Sequence, residues 1–287
     1  MTQPNRPSLA PVAPEALETR RLFSGAGLSH GGVLHVVGAP NVANVIDVEL
    51  VDGQIVVDVQ SPGAKGATSL HKTFNPLNLK RIDVTGGRMA DHITVGTTST
   101  ILAKVRVFGL AGDDVITTGA EDDFVEAGKG NDTVDAGDGT NLVRGGLGND
   151  LITTGAGNDR VNGGLGDDMI TSGAGNDIVR GEAGNDTVDA GDGDDVVYAG
   201  KGADVVTGGA GNDVLWGNRD DDQLDGGDGD DKLGGVVGTN KLTGGLGRDT
   251  FVVVSLAQNP DNDYDADQDV LQLVKPKADD GNKPPAI

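Results

Sequence analysis

Residues 145–180 read GGLGNDLIT TGAGNDRVN GGLGDDMIT SGAGNDIVR, four nonapeptides with the same grammar. Extending the frame in both directions gives sixteen unbroken units over residues 109–252, from GLAGDDVIT to GGLGRDTFV. Columns are numbered from the first residue of each unit. Column eight is apolar in all sixteen, from Ile116 and Val125 through Leu215 and Leu242 to Phe251. Column six is Asp in fourteen and Asn in two, Asn141 and Asn240, while column four is Gly except at Glu121 and Asp220. A Gly/Asp-rich disordered segment gives no reason for an unbroken apolar column. The last three residues of each unit, with the middle one buried, predict a short strand. Glycines beside a fixed acid predict a turn whose backbone carbonyls point inward to one spot, an arrangement of oxygens suited to a hard divalent cation.

A second period sets the geometry. Units alternate, Gly145 and Gly163 carrying Leu147 and Leu165, whereas Thr154 and Ser172 carry Ala156 and Ala174. Residues 145–162 and 163–180 are identical at thirteen of eighteen positions, so the structural unit is a pair of nonapeptides, one coil. Each coil has a strand on either side and a turn at either end. Coils stacked roughly 4.8 Å apart make a rod of about 38 Å from eight of them. Aspartates one coil apart would repel unless a cation sat between them. With one inward side chain per unit, the core is expected to be thin.

The pattern GGxGxDxUx, with U a large apolar residue, resembles the RTX, or hemolysin-type, calcium-binding repeat family. That resemblance covers half of the chain. It implies an all-β, right-handed parallel β-roll with Ca²⁺ held between stacked turns by column-six carboxylates and turn carbonyls. The ligands it implies are Asp114, Asp123, Asp132, Asp150, Asp159, Asp168, Asp177, Asp186, Asp195, Asp204, Asp213, Asp222, Asp231 and Asp249. Eight turns per side leave seven gaps on each, hence at most about 14 intercoil sites. Asn141 and Asn240 lack the carboxylate, Asp220 and Arg248 alter the turn, and 217–219 depart further, so sites there are expected to be weak or absent. The family further implies folding outside the cell, where calcium is plentiful, and an uncleaved carboxy-terminal export signal.

Charge agrees with such a ligand. The 287 residues hold 22 Lys and Arg against 45 Asp and Glu, a formal charge of −23, which ten to fourteen Ca²⁺ would nearly cancel. Without metal, like charges stacked one coil apart and 48 glycines oppose folding, so the expectation is a chain that folds on binding calcium. This acidity excludes a nucleic-acid partner, which requires a basic footprint. There is no cysteine, which excludes disulfides and thiolate sites. No 18-residue apolar run is present to span a membrane. The proline-broken start MTQPNRPSLAPVAPEAL lacks the apolar stretch of an ordinary cleavable signal peptide.

Residues 1–29 are expected to be a disordered leader. Within it Leu17–Ser24 (LETRRLFS) resembles the LEPR-XLL segment near the start of some large bacterial extracellular proteins, with Thr19 where that pattern has Pro. Residues 30–108 alternate apolar and polar in VLHVV (33–37), NVIDVEL (44–50), QIVVDV (54–59), KRIDV (80–84) and KVRVF (104–108), predicting a β-rich cap that includes degenerate coils. VTGGRMADHIT from Val84 aligns with VFGLAGDDVIT from Val107, setting Asp91 on Asp114 and Ile93 on Ile116. Met89 takes the turn-glycine position there, which favours a solvated turn acid at Asp91 over a ligand. Residues 253–287 supply capping strands and a polar tail. Its Asp261, Asp263 and Asp265 have the spacing of an EF-hand loop, but Ala266 and Gln272 replace the required Gly and Glu.

Strand parity predicts two faces. One carries Thr117, Asp135, Thr153, Thr171, Asp189, Thr207, Asp225 and Thr243; the other carries Glu126, Arg144, Asn162, Arg180, Tyr198 and Trp216. Arg180, Tyr198 and Trp216 are expected to stack, close enough for cation–π contact. Four scattered histidines, with no HExxH and no GxSxG, argue against an enzyme. The expectation is a secreted, structural or matrix-associated calcium-binding protein. The alternative is a carbohydrate-binding or adhesive module offering its Arg/Tyr/Trp face to an anionic polysaccharide or a cell-surface component, and a third reading is the targeting appendage of a separately encoded enzyme.

Overall fold

A computed structural model describes residues 25–29, 31–62, 68–96, 103–253 and 270–273. The LEPR-XLL-like segment and the acidic run 261–269 lie outside the described residues. The described elements are all strands: β1 Gly25–Leu28, β2 Val33–Val37, β3 Val45–Val51, β4 Gln54–Ser61, β5 Thr68–Phe74, β6 Arg81–Thr85, β7 His92–Val95, β8 Lys104–Phe108 and β9 Val115–Thr117, followed by the strands of the repeat. They form two sheets, of thirteen and twelve strands, and the chain crosses between them once per nonapeptide. Pairing within the repeat is parallel and in an eighteen-residue register, Val125 to Val143 to Val161 on the first sheet and Val134 to Ile152 to Ile170 on the second. The fold is therefore a parallel β-solenoid with the pair of nonapeptides as its coil, as the alternation of columns one and three predicts.

Column eight is 0–2 % exposed in all sixteen units. Column one also points inward, contrary to the expectation of one inward side chain per unit: Ala127, Ala136, Ala190 and Ala199 are fully buried beside it. Two inward positions seven residues apart, one large and one small, fill the narrow space between sheets. The turns are kept close by glycine. Gly146 and Gly148 adopt φ of +123° and +120°, and a Cβ on either would collide with the carbonyl of Gly128 or Gly130 in the coil before. Where column two is not Gly, φ is positive regardless, at Leu110 (+83°), Glu182 (+79°), Asn218 (+74°) and Val236 (+22°).

Coiling begins before the regular repeat. β2 with β3 and β6 with β7 are already two-strand coils, joined to the array by Ile82 pairing with Val105 and Ile93 with Ile116. Antiparallel strands finish this end. β1 extends the first sheet beyond β2, and β4 and β5 extend the second beyond β3. Gly25–Leu28 is thus a strand, although the sequence places it in the leader. Lys72 Nζ donates to Ala26 O at 2.8 Å and ties the two extensions together. At the far end Thr250–Val253 pairs in parallel with Val270–Leu273.

Candidate metal centre

The fourteen column-six aspartates fall into two stacks, one at each lateral edge. Asp114, Asp132, Asp150, Asp168, Asp186, Asp204 and Asp222 form the first, continued by Asn240 and preceded by Asp91 and Asn44. Asp123, Asn141, Asp159, Asp177, Asp195, Asp213, Asp231 and Asp249 form the second. All are buried. Within each stack the Oδ1 of one rung accepts the backbone N–H of the rung one coil earlier. The distances are 2.7–3.1 Å from Asp91 to Asn240 and 2.7–3.0 Å from Asp123 to Asp249. The carboxylates do not simply face one another across the gap, as the repulsion argument supposed. Each has one oxygen committed to a main-chain donor.

The other oxygen is the exposed problem. Among the described residues, Oδ2 of thirteen of the fourteen, all except Asp249, is buried without a hydrogen-bond partner. The neighbouring hydroxyls leave it so: Thr118, Thr154 and Ser172 donate to the carbonyls of Ala136, Ser172 and Ala190 at 3.0, 2.7 and 3.0 Å. Burial dominates the electrostatics. It raises Asp150 to about 7 against the lowering effect of the Asp132 N–H, and the Asp132 charge adds to the rise. Burial likewise brings Asp222 to about 8, with the Asp204 charge as the largest like-charge contribution. An ionised carboxylate with a bare oxygen costs several kcal/mol in such a place unless a cation accompanies it.

The Asn rungs show what surrounds that bare oxygen. Asn141 Oδ1 accepts the Asp123 N–H at 3.0 Å, which fixes the amide orientation. Its Nδ2 then lies 3.0 Å from Gly137 O, 3.4 Å from Asp138 O and 3.5 Å from Gly139 O. The second side-chain position thus faces a bowl of carbonyls from columns two to four. In the aspartate turns an oxygen occupies it, and oxygen facing carbonyls calls for a positive charge between them. Among the described residues no three His, Asp or Glu side chains converge to hold a metal, and the oxygens gathered at each turn are one carboxylate and main-chain carbonyls. The donor set, carboxylate plus carbonyl oxygens, suits calcium.

Column five forms a further ladder that the sequence reading passed over. Asn131 N donates to Asp113 Oδ1, Asn149 N to Asn131 Oδ1, and Asp167 N to Asn149 Oδ1, at 2.8–3.0 Å. These side chains reach forward to the following coil, opposite in sense to column six. Asp or Asn at twelve of sixteen column-five positions was the available signal. Asp91 also departs from expectation. It is buried, and accepts from Asn44 N and Nδ2, both at 2.7 Å, and from Gly87 N. It is a satisfied core acid, not a solvated one.

The predicted faces are in register, Arg180 with Tyr198 and Tyr198 with Trp216. The Arg180 guanidinium sits 5.3 Å from the Tyr198 ring centre. Trp216, however, is only 3 % exposed, its ring lying over Gly234 of the next coil. Arg106 and Arg144 contact the Phe124 ring at 5.5 and 5.4 Å, so ring stacking recurs along this sheet.

The RTX calcium-binding nonapeptide repeat matches the chain in four copies, over residues 106–134, 135–170, 171–206 and 198–233. No curated protein sequence matches it. No helix among the described residues is long and apolar enough to cross a membrane. Frame, coil and ladder agree with that match: residues 106–233 are an array of RTX calcium-binding nonapeptide repeats, and calcium binding is the property those repeats imply.

Proposed function

We propose that this chain is a secreted structural protein whose repeat array folds when extracellular calcium enters the turns, with the fourteen column-six aspartates as ligands. The observation that carries the reading is the set of buried, unpartnered Oδ2 atoms, found in thirteen of the sixteen turns and along both edges. Each aspartate has two tasks: Oδ1 aligns its coil on the one before, and Oδ2 meets the cation above the carbonyls of its own turn. Bound calcium supplies the charge that these oxygens lack. With few other sources of stability in a thin core, a buried unpaired carboxylate oxygen in thirteen of the sixteen turns outweighs the apolar gain, and the metal-free array unfolds. Export to a calcium-rich compartment fits a fold that forms only there.

The Arg/Tyr/Trp face supports cross-strand stabilisation better than glycan binding, because Trp216 offers no free ring to a sugar. Calcium titrated into the chelated full-length chain, followed by circular dichroism, tests the main reading. A cooperative rise in β signal is expected. A chain with its full β signal in chelator at about pH 8, where these carboxylates are ionised, would overturn it.

A further inference from the structure

We infer that Asn141 and Asn240 are rungs in which a side-chain amide takes the place of the calcium ion, so that these two turns close without metal. The inference rests on the calcium reading above and adds which turns are exempt from it. At Asn141, Oδ1 keeps the rung's place in the stack by accepting the Asp123 N–H, and Nδ2 donates into the carbonyl bowl, its best contact being Gly137 O at 3.0 Å. At Asn240, Oδ1 accepts the Asp222 N–H at 2.9 Å, and Nδ2 donates to Gly235 O and lies 3.5 Å from Val237 O. Exchanging Oδ2 for an N–H donor converts an oxygen that repels the bowl into a group that binds it. It removes one negative charge as well.

The irregular coil at the amino-terminal end uses the same device. Asn44 stands at the head of the first stack, its Nδ2 donating to Ala39 O and Val42 O, both at 3.0 Å, and to Asp91 Oδ1. Among the described residues Asn44 and Asn240 are thus the first and last rungs of the first stack, and Asn141 is the second rung of the other.

The test is the number of calcium ions bound by the full-length chain at saturating calcium, counted by native mass spectrometry, for the unaltered chain, Asn141→Asp and Asp159→Asn. Asn141→Asp is expected to gain at least one ion and to require more calcium for folding. Asp159→Asn is expected to lose at least one ion, while amide exchange in chelator slows around Gly155–Asp159. An Asn141→Asp chain that folds in calcium with an unchanged count would overturn the inference, as would an Asp159→Asn chain that keeps the full count. If Asn141→Asp fails to fold, the Asp159→Asn count decides. Absence of calcium binding by the unaltered chain would instead overturn the functional reading.

Discussion

The irregular coils built from β2, β3, β6 and β7 and the sixteen-unit array stand on the same two sheets, yet they answer a shared problem differently. Both bury a polar side chain at the turn. In the irregular coils the answer is internal. Asn44 is bonded through Oδ1 by Ala39 N at 2.8 Å and Ser61 Oγ at 2.6 Å, and Asp91 has both oxygens engaged. Ion pairs add to this, with Arg81 to Asp83 at 2.6 Å. In the array thirteen of the fourteen carboxylates have only one oxygen satisfied from within the described residues. The lesson is that one architecture can be self-sufficient or ion-dependent according to which atom sits at one position per turn.

The largest effect expected from this contrast is regional. In chelator, hydrogen exchange should become fast through Asp132–Asp231 while β3 and β4 stay protected, because only the former leave buried oxygens bare. Equal protection in both regions, with or without calcium, would erase the distinction.

A second effect concerns protons as substitutes for metal. Burial raises Asp123, Asp132, Asp177 and Asp186 to about 6 and Asp114, Asp168, Asp195, Asp204 and Asp231 to about 7. These folded values lie above the unfolded value of about 4, so the metal-free fold binds more protons than the unfolded chain. Its stability is fully present below about pH 4 and is lost as pH rises through about 6 to 8. In chelator, the β signal at pH 4 should exceed that at pH 8, and the irregular coils should contribute little to the difference. A signal that grows with pH would break this account.

The smallest effect sharpens the role of turn glycine. Leu110 opens the array with φ at +83° and a side chain 48 % exposed, so Leu110→Gly relieves a left-handed strain at little cost in packing. A gain of about 1 kcal/mol is expected in calcium, read as a raised thermal midpoint. A lowered midpoint would show that the Leu110 side chain contributes more than its conformation costs.

Much of the fold was legible because column eight and the pairing of units are long-range signals repeated many times. The stack of aspartates was legible for the same reason, but its chemistry was only half so. Sequence spacing brings Asp132 beside Asp150; it does not tell that a backbone N–H takes Oδ1 and leaves Oδ2 alone. Nor did it reveal the small inward residues of column one, since Gly, Ala, Ser and Thr there look like turn residues. Spacing sets Trp216 on one face with Arg180 and Tyr198 but does not reveal its burial, which depends on Gly234, the one glycine in column nine, eighteen residues later. A missing side chain on the next coil leaves room for a large one, a form of compensation visible only once register is known.

The opposed senses of the column-five and column-six ladders bear on how such a rod can change length. Most turns are held from the coil behind by one side chain and from the coil ahead by another, so an interior coil carries its own set of fastenings. Deleting or duplicating eighteen residues leaves both termini of the rod with the same open valences as before. Nine residues would instead move each following turn to the opposite edge and pair Asn240 with the wrong stack. Growth in whole coils is thus nearly free of mechanical penalty, whereas growth by a single nonapeptide forces every subsequent layer out of line.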